Sequence, residues 1–504
     1  MFAQPEGISV IEKLEIADRR RHAVRVLLIL ALPMIGVTLS RMLMGFIDFV
    51  MVSQLGTAAQ AAISPSTIFL FVIACLGMGL AQAVQTFVSQ ADGRGEPQRG
   101  GSYVWQALYI AAAAALLSAP IAATVERWFP LLGRIGQHPP DVQEREIQFL
   151  RYALWAIGPM IASASLECFY NGIKRPVIDL IAVVVSLVTL AVANYIFIFG
   201  HFGAPVMGIG GSGLATLLAW CARLLVLVMP FMSEPIHQRY RTRDSWRFSP
   251  GRLREIIRVG GPVAVQWLVD IGAWFVFLEI LMPPFGASSM AAANIVIQFM
   301  HLSFMPSLGI GLALTTQVGN EIGAGRPDDA VFRVRVARRL IVGYMALMAL
   351  VFVAAGGPMA WLLCWESDVA LRQAVIAAAA AMAIWAALFQ VFDGLCIVYS
   401  FAARGAGDTR VPAALFFVCC WAIFVLGGYL AVRFMPQWGF HGPWAMAAAY
   451  IVVLGVLLAR RFHSEAWRGI RLFKEDRGGE RTAIPPGSPS VEPPAPAHAI
   501  ESNV

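Results

Sequence analysis

Six carboxylates interrupt long apolar stretches of this chain: Asp48, Glu167, Asp179, Asp270, Glu279 and Asp393. An ionised carboxylate in hydrocarbon is strongly unfavourable unless paired or wet, so such residues mark ion pathways, proton relays or ligand sites. The chemistry open to them is reversible capture of a small cation. One buried carboxylate suffices for a proton, whereas Na⁺ wants several hard oxygens. Asp270 lies 12 residues beyond Arg258 and Asp393 lies 11 before Arg404, which puts both at about 16–18 Å from the basic end of their helices. The two form a candidate cation site, or are satisfied by Ser, Asn or Gln across the bundle. Glu279, nine residues beyond Asp270, is half a turn out of phase and one turn from Pro283 and Pro284, so it is expected to snorkel to an interface. Glu167 and Asp179 lie near the ends of their stretches, where Lys174 or Arg175 is the expected partner. Arg41 precedes Asp48 by seven residues on the same face; it either holds Asp48 ionised or reaches an aqueous cavity alone. Asn294 and Gln298, at i and i+4, present two amides on one face, as partners for a cation site or as interhelical hydrogen-bonding groups.

The elements that must carry these residues follow from composition. Of 504 residues 58% are hydrophobic before 45 glycines are added, 14% are charged, and the mean hydropathy is +0.67. A soluble domain has roughly 45–50% apolar residues with glycine included and about 25% charged, so the reading is an all-α polytopic membrane protein. Stretches long enough to cross a ~30 Å hydrocarbon core occur twelve times, near 26–52, 61–88, 102–125, 149–171, 177–200, 210–232, 256–282, 289–317, 339–363, 373–402, 411–434 and 442–460. The first is too long for a signal peptide and lacks a small-residue cleavage site. Of the 38 Lys and Arg, 30 fall on the amino-terminal side of these spans, 6 on the other, and Arg41 and Arg223 lie within spans. That bias predicts cytoplasmic termini, and it explains the net charge of +7 without a nucleic-acid partner. The seven cysteines are scattered through apolar stretches at no metal-ligand spacing, so neither a disulfide framework nor a zinc site is expected.

The halves repeat. Residues 86–97 (TFVSQADGRGEP) match 316–327 (TQVGNEIGAGRP) at an offset of 230, with both glycines and the proline in register, and Leu55-Gly56 matches Phe285-Gly286. Six spans separate the copies, so the repeat is parallel and its pseudo-two-fold axis runs along the membrane normal. The expected organisation is a cytoplasmic segment 1–25, a six-helix bundle 26–232, a linker 233–255, a second six-helix bundle 256–460, and a tail 461–504. The tail is Pro- and Ser-rich from Ile484 and is read as disordered.

Longer motifs narrow the reading: Pro33 with MGFIDFVM from Met44, NYIFIFGHFGAP from Asn194, IGGSGLAT from Ile209, FQVFD ending at Asp393, and ARGAGD from Ala403. Over about residues 25–460 the chain resembles the multidrug and toxic compound extrusion (MATE) family, in particular its NorM-like branch. The resemblance implies that Asp270 and Asp393 belong to the cation-coupling site, holding the metal if the ion is Na⁺, although position 270 is Glu in familiar NorM-like relatives. It implies that Asp48 is the acid of the first bundle, fifteen residues from Pro33 as in the family pattern, with bending at Pro33 accompanying changes in occupancy. Asn194 stands where other branches carry Asp. With no phosphate-binding loop and no catalytic motif, an ion gradient is the expected energy source. The coupling ion is Na⁺ or H⁺, and no cofactor or enzymatic activity is expected. Trp267, Trp274, Phe275, Met300, Phe389 and Arg41 are cavity candidates, since aromatic faces and Met suit loosely specified organic cations. The expectation is a monomer in a bacterial inner membrane that exports amphipathic compounds. The alternative is a flippase for a lipid-linked glycan or natural product, which predicts a cationic cavity.

Overall fold

The computed structural model describes residues 10–135, 139–364 and 368–473. Among them every element is helical, and twelve helices are long and apolar enough to span a membrane. We number these spans in chain order: 1 (Asp18–Ser53), 2 (Thr57–Gly93), 3 (Gln98–Ala123), 4 (Pro140–Gly172), 5 (Pro176–Phe199), 6 (Ile209–Phe231), 7 (Pro250–Phe285), 8 (Ala287–Gly323), 9 (Pro327–Leu363), 10 (Val369–Ala406), 11 (Arg410–Phe434) and 12 (His441–His463). Most outrun the apolar windows because charged turns continue them. Span 9 starts twelve residues early: Pro327 opens the helix without a wasted N–H, and Asp328 and Asp329 face the positive end of its dipole.

Three segments read as loop or tail are structured. The charged stretch after span 3 folds as a helix, Val125–Ile135, whose Val125 and Phe129 are buried, while the Trp128 ring lies 5.9 Å from Phe69. The linker contains the helix Glu234–Tyr240 and is stitched to span 3: Trp105 Nε1 donates to the Thr242 carbonyl (2.6 Å) and Gln106 Nε2 to that of Arg247 (3.1 Å). Beyond span 12, Trp467 stacks on Phe462 at 5.3 Å and donates to its carbonyl, so the first part of the tail is ordered. The first compact body ends at Ile470. The Pro-rich stretch from Ile484 and the first nine residues lie outside the described residues.

Two π-helical stretches, Phe277–Leu281 in span 7 and Cys419–Leu426 in span 11, widen the helices of the second bundle. In the first of them the Met282 N–H reaches back five residues to the Phe277 carbonyl. A π-turn inserts one residue, and the repeat shows it. Pro33 and Pro262 differ by 229, whereas Gly56 and Gly286, beyond the turn, differ by 230.

The bundles meet along spans 1, 2, 7 and 8, and the contact is pseudo-symmetric. A Cβ on Gly93 would collide with the Asn320 carbonyl, and a Cβ on Gly323 with that of Gln90; both residues of each pair are repeat equivalents. Gly79 against Ala264 and Gly309 against Ile35 form a second such couple. Small residues let helix backbones approach where lipid offers no hydrophobic drive. Crossed hydrogen bonds follow the same symmetry: Thr86 Oγ1 donates to the Arg404 carbonyl (3.0 Å) and Thr316 Oγ1 to that of Asn171 (2.9 Å). Gln85 Nε2 adds bonds to the Leu312 carbonyl (2.8 Å) and Thr316 Oγ1 (2.9 Å), and Gln90 Nε2 one to Gly405 (2.9 Å). At the rim, Asp92 accepts from Arg239 (2.8 Å) and Asn320 (3.3 Å), while Lys174 donates to Asn320 (2.9 Å). Burial pushes the Lys174 ammonium below its ordinary pKa, with Asp92 and Glu321 opposing. Among the described residues, hydrogen bonds between the bundles run from the basic-loop end to mid-span, where Thr38 reaches the Met305 carbonyl (3.3 Å), and none lies beyond. The molecule is therefore clamped on its basic side.

Gly93→Val should disfavour this clamped state by about 1–3 kcal/mol, on the order of tenfold in its population. In a chain whose native cysteines are replaced by Ala, maleimide labelling of Thr86→Cys should quicken accordingly; unchanged labelling would mean the glycine contact does not control closure.

Candidate functional site

The second bundle brings Asp270 and Asp393 within electrostatic range of each other and of Tyr450 on span 12; Cys420 on span 11 is also within range of Asp270. Trp274, one turn beyond Asp270, lies beside its carboxyl. Behind them sits an aromatic nest: Trp274 and Phe424 at 5.1 Å, Phe277 and Phe424 at 5.4 Å, and Phe424 stacked on Tyr450 at 5.0 Å. The π-helical stretches border this nest: Phe277 opens the first and Phe424 lies within the second. Neither aspartate has a Lys or Arg within ion-pair distance among the described residues. Tyr450 and Cys420 were invisible in the sequence, since an aromatic or a Cys in an apolar span is unremarkable until the fold places it.

In the first bundle Asp48 Oδ1 accepts from Asn194 Nδ2 (2.6 Å) and Ser212 Oγ (3.3 Å). Ser212 sits in the glycine-rich start of span 6, where Gly211 packs on the Phe197 carbonyl and Gly213 on that of Phe149. Those glycines bring the hydroxyl close enough to reach Asp48. Asn194 Oδ1 is buried and has no hydrogen-bond partner, so an amide oxygen accompanies the carboxylate.

Arg41 does not join Asp48. It is ion-paired and hydrogen-bonded to Glu167 of span 4. Glu167 and Asp179 likewise do not pair with Lys174 or Arg175. Arg223 of span 6, 1% exposed, donates from one nitrogen to Asp179 Oδ1 (2.7 Å) and Glu167 Oε2 (3.2 Å). Two arginines and two carboxylates from spans 1, 4, 5 and 6 thus form a neutral tetrad inside the first bundle. The sequence did contain the signal: Arg223 was a second mid-span cation, and an intramembrane cation needs an intramembrane anion.

The cavity candidates separate. Trp267 stacks on Phe71 of the other bundle at 6.0 Å. Trp274 lies in the nest, Met300 is half-buried against the core, and Phe275 is 62% exposed. Phe389 is 1% exposed and packed in the core of the second bundle in this arrangement. Asn294 and Gln298 lie on an exposed face, and Asn294 Nδ2 bonds the Met290 carbonyl of its own helix (3.0 Å).

The MatE family model matches residues 33–196 and 271–430, one stretch in each bundle. The chain belongs to the MatE family. It is 33% identical to a probable multidrug resistance protein NorM of Mesorhizobium japonicum over 88% of this chain and 94% of the relative. It is 30% identical to the protein of that description from Pseudomonas aeruginosa, over 91% and 92% of the two chains. Among solved structures it is similar to a MOP superfamily transporter from Pyrococcus furiosus, described as having a binding pocket of reversed polarity, with a TM-score of 0.79, 18% identity and 89% and 97% coverage. It also resembles the Vibrio cholerae MATE transporter VcmN in its bent form, with a TM-score of 0.78, 19% identity and 89% and 98% coverage. The MatE architecture of two six-helix bundles is that expected from the repeat.

Breaking the tetrad leaves an uncompensated buried charge. Arg223→Met should destabilise the protein by about 3–5 kcal/mol, whereas Lys174→Met at the rim should cost no more than about 1 kcal/mol. Thermal unfolding in detergent distinguishes them, and equal shifts would refute the tetrad.

Proposed function

We propose that this MatE-family chain exports amphipathic, commonly cationic organic compounds by alternating access, in exchange for Na⁺ or H⁺. The observation that carries the reading is the contrast between two kinds of intramembrane acid. Glu167 and Asp179 are neutralised by Arg41 and Arg223. Asp270 and Asp393 have no such partner among the described residues, and Asp48 holds only the neutral donors Asn194 and Ser212. A carboxylate pair without an internal cation favours taking one from outside, as a proton or as Na⁺ with further oxygens. Its occupancy then biases one arrangement of the bundles over another, which is the coupling an antiporter needs.

The clamp supplies the second part. With the basic loops on the cytoplasmic side, the arrangement is closed inward, and parting of Gly93 from Asn320 and of Gly323 from Gln90 opens it to the cytoplasm. Phe71 and Trp267, stacked across the bundles, offer aromatic faces to an organic cation as they separate. No second monomer enters this scheme, and a monomer in the bacterial inner membrane with both termini cytoplasmic is the proposed form. The flippase reading asked for a strongly cationic cavity, but Arg41 and Arg223 are held by Glu167 and Asp179, and the acids Asp48, Asp270 and Asp393 outnumber Arg404 on the seam.

Purified protein in vesicles should expel ethidium when a Na⁺ or H⁺ gradient is imposed, each tested separately. Asp270→Asn and Asp393→Asn should each abolish the gradient-driven component while leaving folded protein in the membrane. Export driven by neither gradient would refute the antiport, and full coupling in both variants would refute the site.

A further inference from the structure

Arg404 stands near the basic end of span 10, but its side chain turns back along the interface. Nη1 lies 3.4 Å from Gln82 Oε1 of the first bundle and Nη2 lies 3.4 Å from Gln266 Oε1 of the second, with the guanidinium over the Phe401 ring at 4.6 Å. Gln82 is 11 residues into span 2 from Gly93, about 16 Å, between the Gln85 and Thr86 bonds and the Gly79–Ala264 contact, so this cation sits within the clamp on the seam between the bundles. Thr86 holds the Arg404 carbonyl and fixes the helix beneath it.

Its surroundings set it apart from the other intramembrane arginines. Arg41 and Arg223 are salt-bridged. Arg404 has no carboxylate within ion-pair distance among the described residues; its charge rests on two amide oxygens at the long end of hydrogen bonding. It also lines a cavity of about 10 Å³, roughly one water, with Gln82, Gln85, Thr86 and Thr409. A guanidinium offers five donors in a fork that matches a carboxylate, and a carboxylate outcompetes an amide oxygen for it.

We propose that Arg404 is a recognition site for the carboxylate of zwitterionic or anionic organic substrates, exposed when the bundles part on the basic side and covered again when Gln82 returns. This rests on the export reading above. In the clamped state Gln82 and Gln266 satisfy the cation; as the first bundle withdraws, Gln82 leaves with it and the fork is free for ligand. Re-closure brings Gln82 back over the guanidinium and shrinks the space beside it to about 10 Å³, too small for the carboxylate to stay.

The test compares norfloxacin, which carries a carboxylate, with its ethyl ester, which does not, by equilibrium dialysis on the full chain in detergent. Wild type should bind the acid more tightly than the ester. Arg404→Gln should weaken the acid by about tenfold or more and leave the ester unchanged. Arg404→Lys, which keeps the charge without the fork, should recover part of the loss, and Gln82→Ala, which keeps the guanidinium, should retain the acid. Equal weakening of acid and ester, no weakening of the acid, or a wild type without preference would overturn the proposal. Ethidium export by the same preparations is read separately: its failure under both gradients refutes antiport while the binding comparison still decides the role of Arg404.

Discussion

A charge in hydrocarbon must find a countercharge, and most of this structure can be read as answers to that requirement. In the first bundle the answer is internal: Arg41, Glu167, Arg223 and Asp179 tie four helices into a neutral knot. Such a knot stiffens a bundle, because moving any one helix strands a buried ion. In the second bundle the answer is left open: Asp270 and Asp393 face an aromatic nest and each other. In the proposed antiport, an acid pair that takes an external ion, set against a bundle whose tetrad is settled and whose Asp48 holds only Asn194 and Ser212, gives that ion leverage over their relative position.

That leverage needs a contact able to open and close as a unit. Apart from the rim, where Arg19 pairs with Asp329, the clamp is made mainly of backbone surfaces and neutral polar side chains. Gly93, Gly323, Gly79 and Gly309 bring main chains together, and Gln85, Thr86, Gln90 and Thr316 bond carbonyls across the gap. Such bonds can be exchanged for bonds to water when the face opens, so separation is inexpensive compared with breaking a buried salt bridge. Because the contacts obey the pseudo-two-fold, each bundle loses and regains equivalent partners.

The twelve spans, the parallel repeat and the depth of Asp270 and Asp393 were legible because each is a one-dimensional pattern: a run of apolar residues, an offset, a count along a helix. What was not legible required knowing which helices touch. Glu167 and Asp179 were assigned by proximity in the chain to Lys174 and Arg175, but spans 4, 5 and 6 pack so that Arg223, distant in sequence, lies between them. Phe389 was nominated for its aromatic face; its burial to 1% exposure depends on neighbouring spans that the sequence does not name. The helix Val125–Ile135 was hidden because its charges hold a loop-like composition while Val125 and Phe129 carry the packing.

The repeat also shows how the two halves differ in charge. At the offset of 229 that relates Pro33 to Pro262, Arg41 is the equivalent of Asp270. The same place in the two bundles thus carries opposite charges: a base with an internal carboxylate on one side, an acid with no internal cation on the other. The π-turn at Phe277–Leu281 lies just beyond Asp270 and absent any counterpart in span 1, whose helix runs regularly to Ser53. Phe277, at its start, packs on Phe424 and Trp444 and forms an aromatic wall behind the aspartate. A wall of that kind excludes mobile water and competing donors, leaving the carboxylate to the ion that enters. Two structurally equivalent halves have in this way been given unequal electrostatics, and the proposed antiport draws on that inequality: an ion that binds the open acids of one half changes the charge of that half alone, while the tetrad of the other stays neutral whether or not the ion is there.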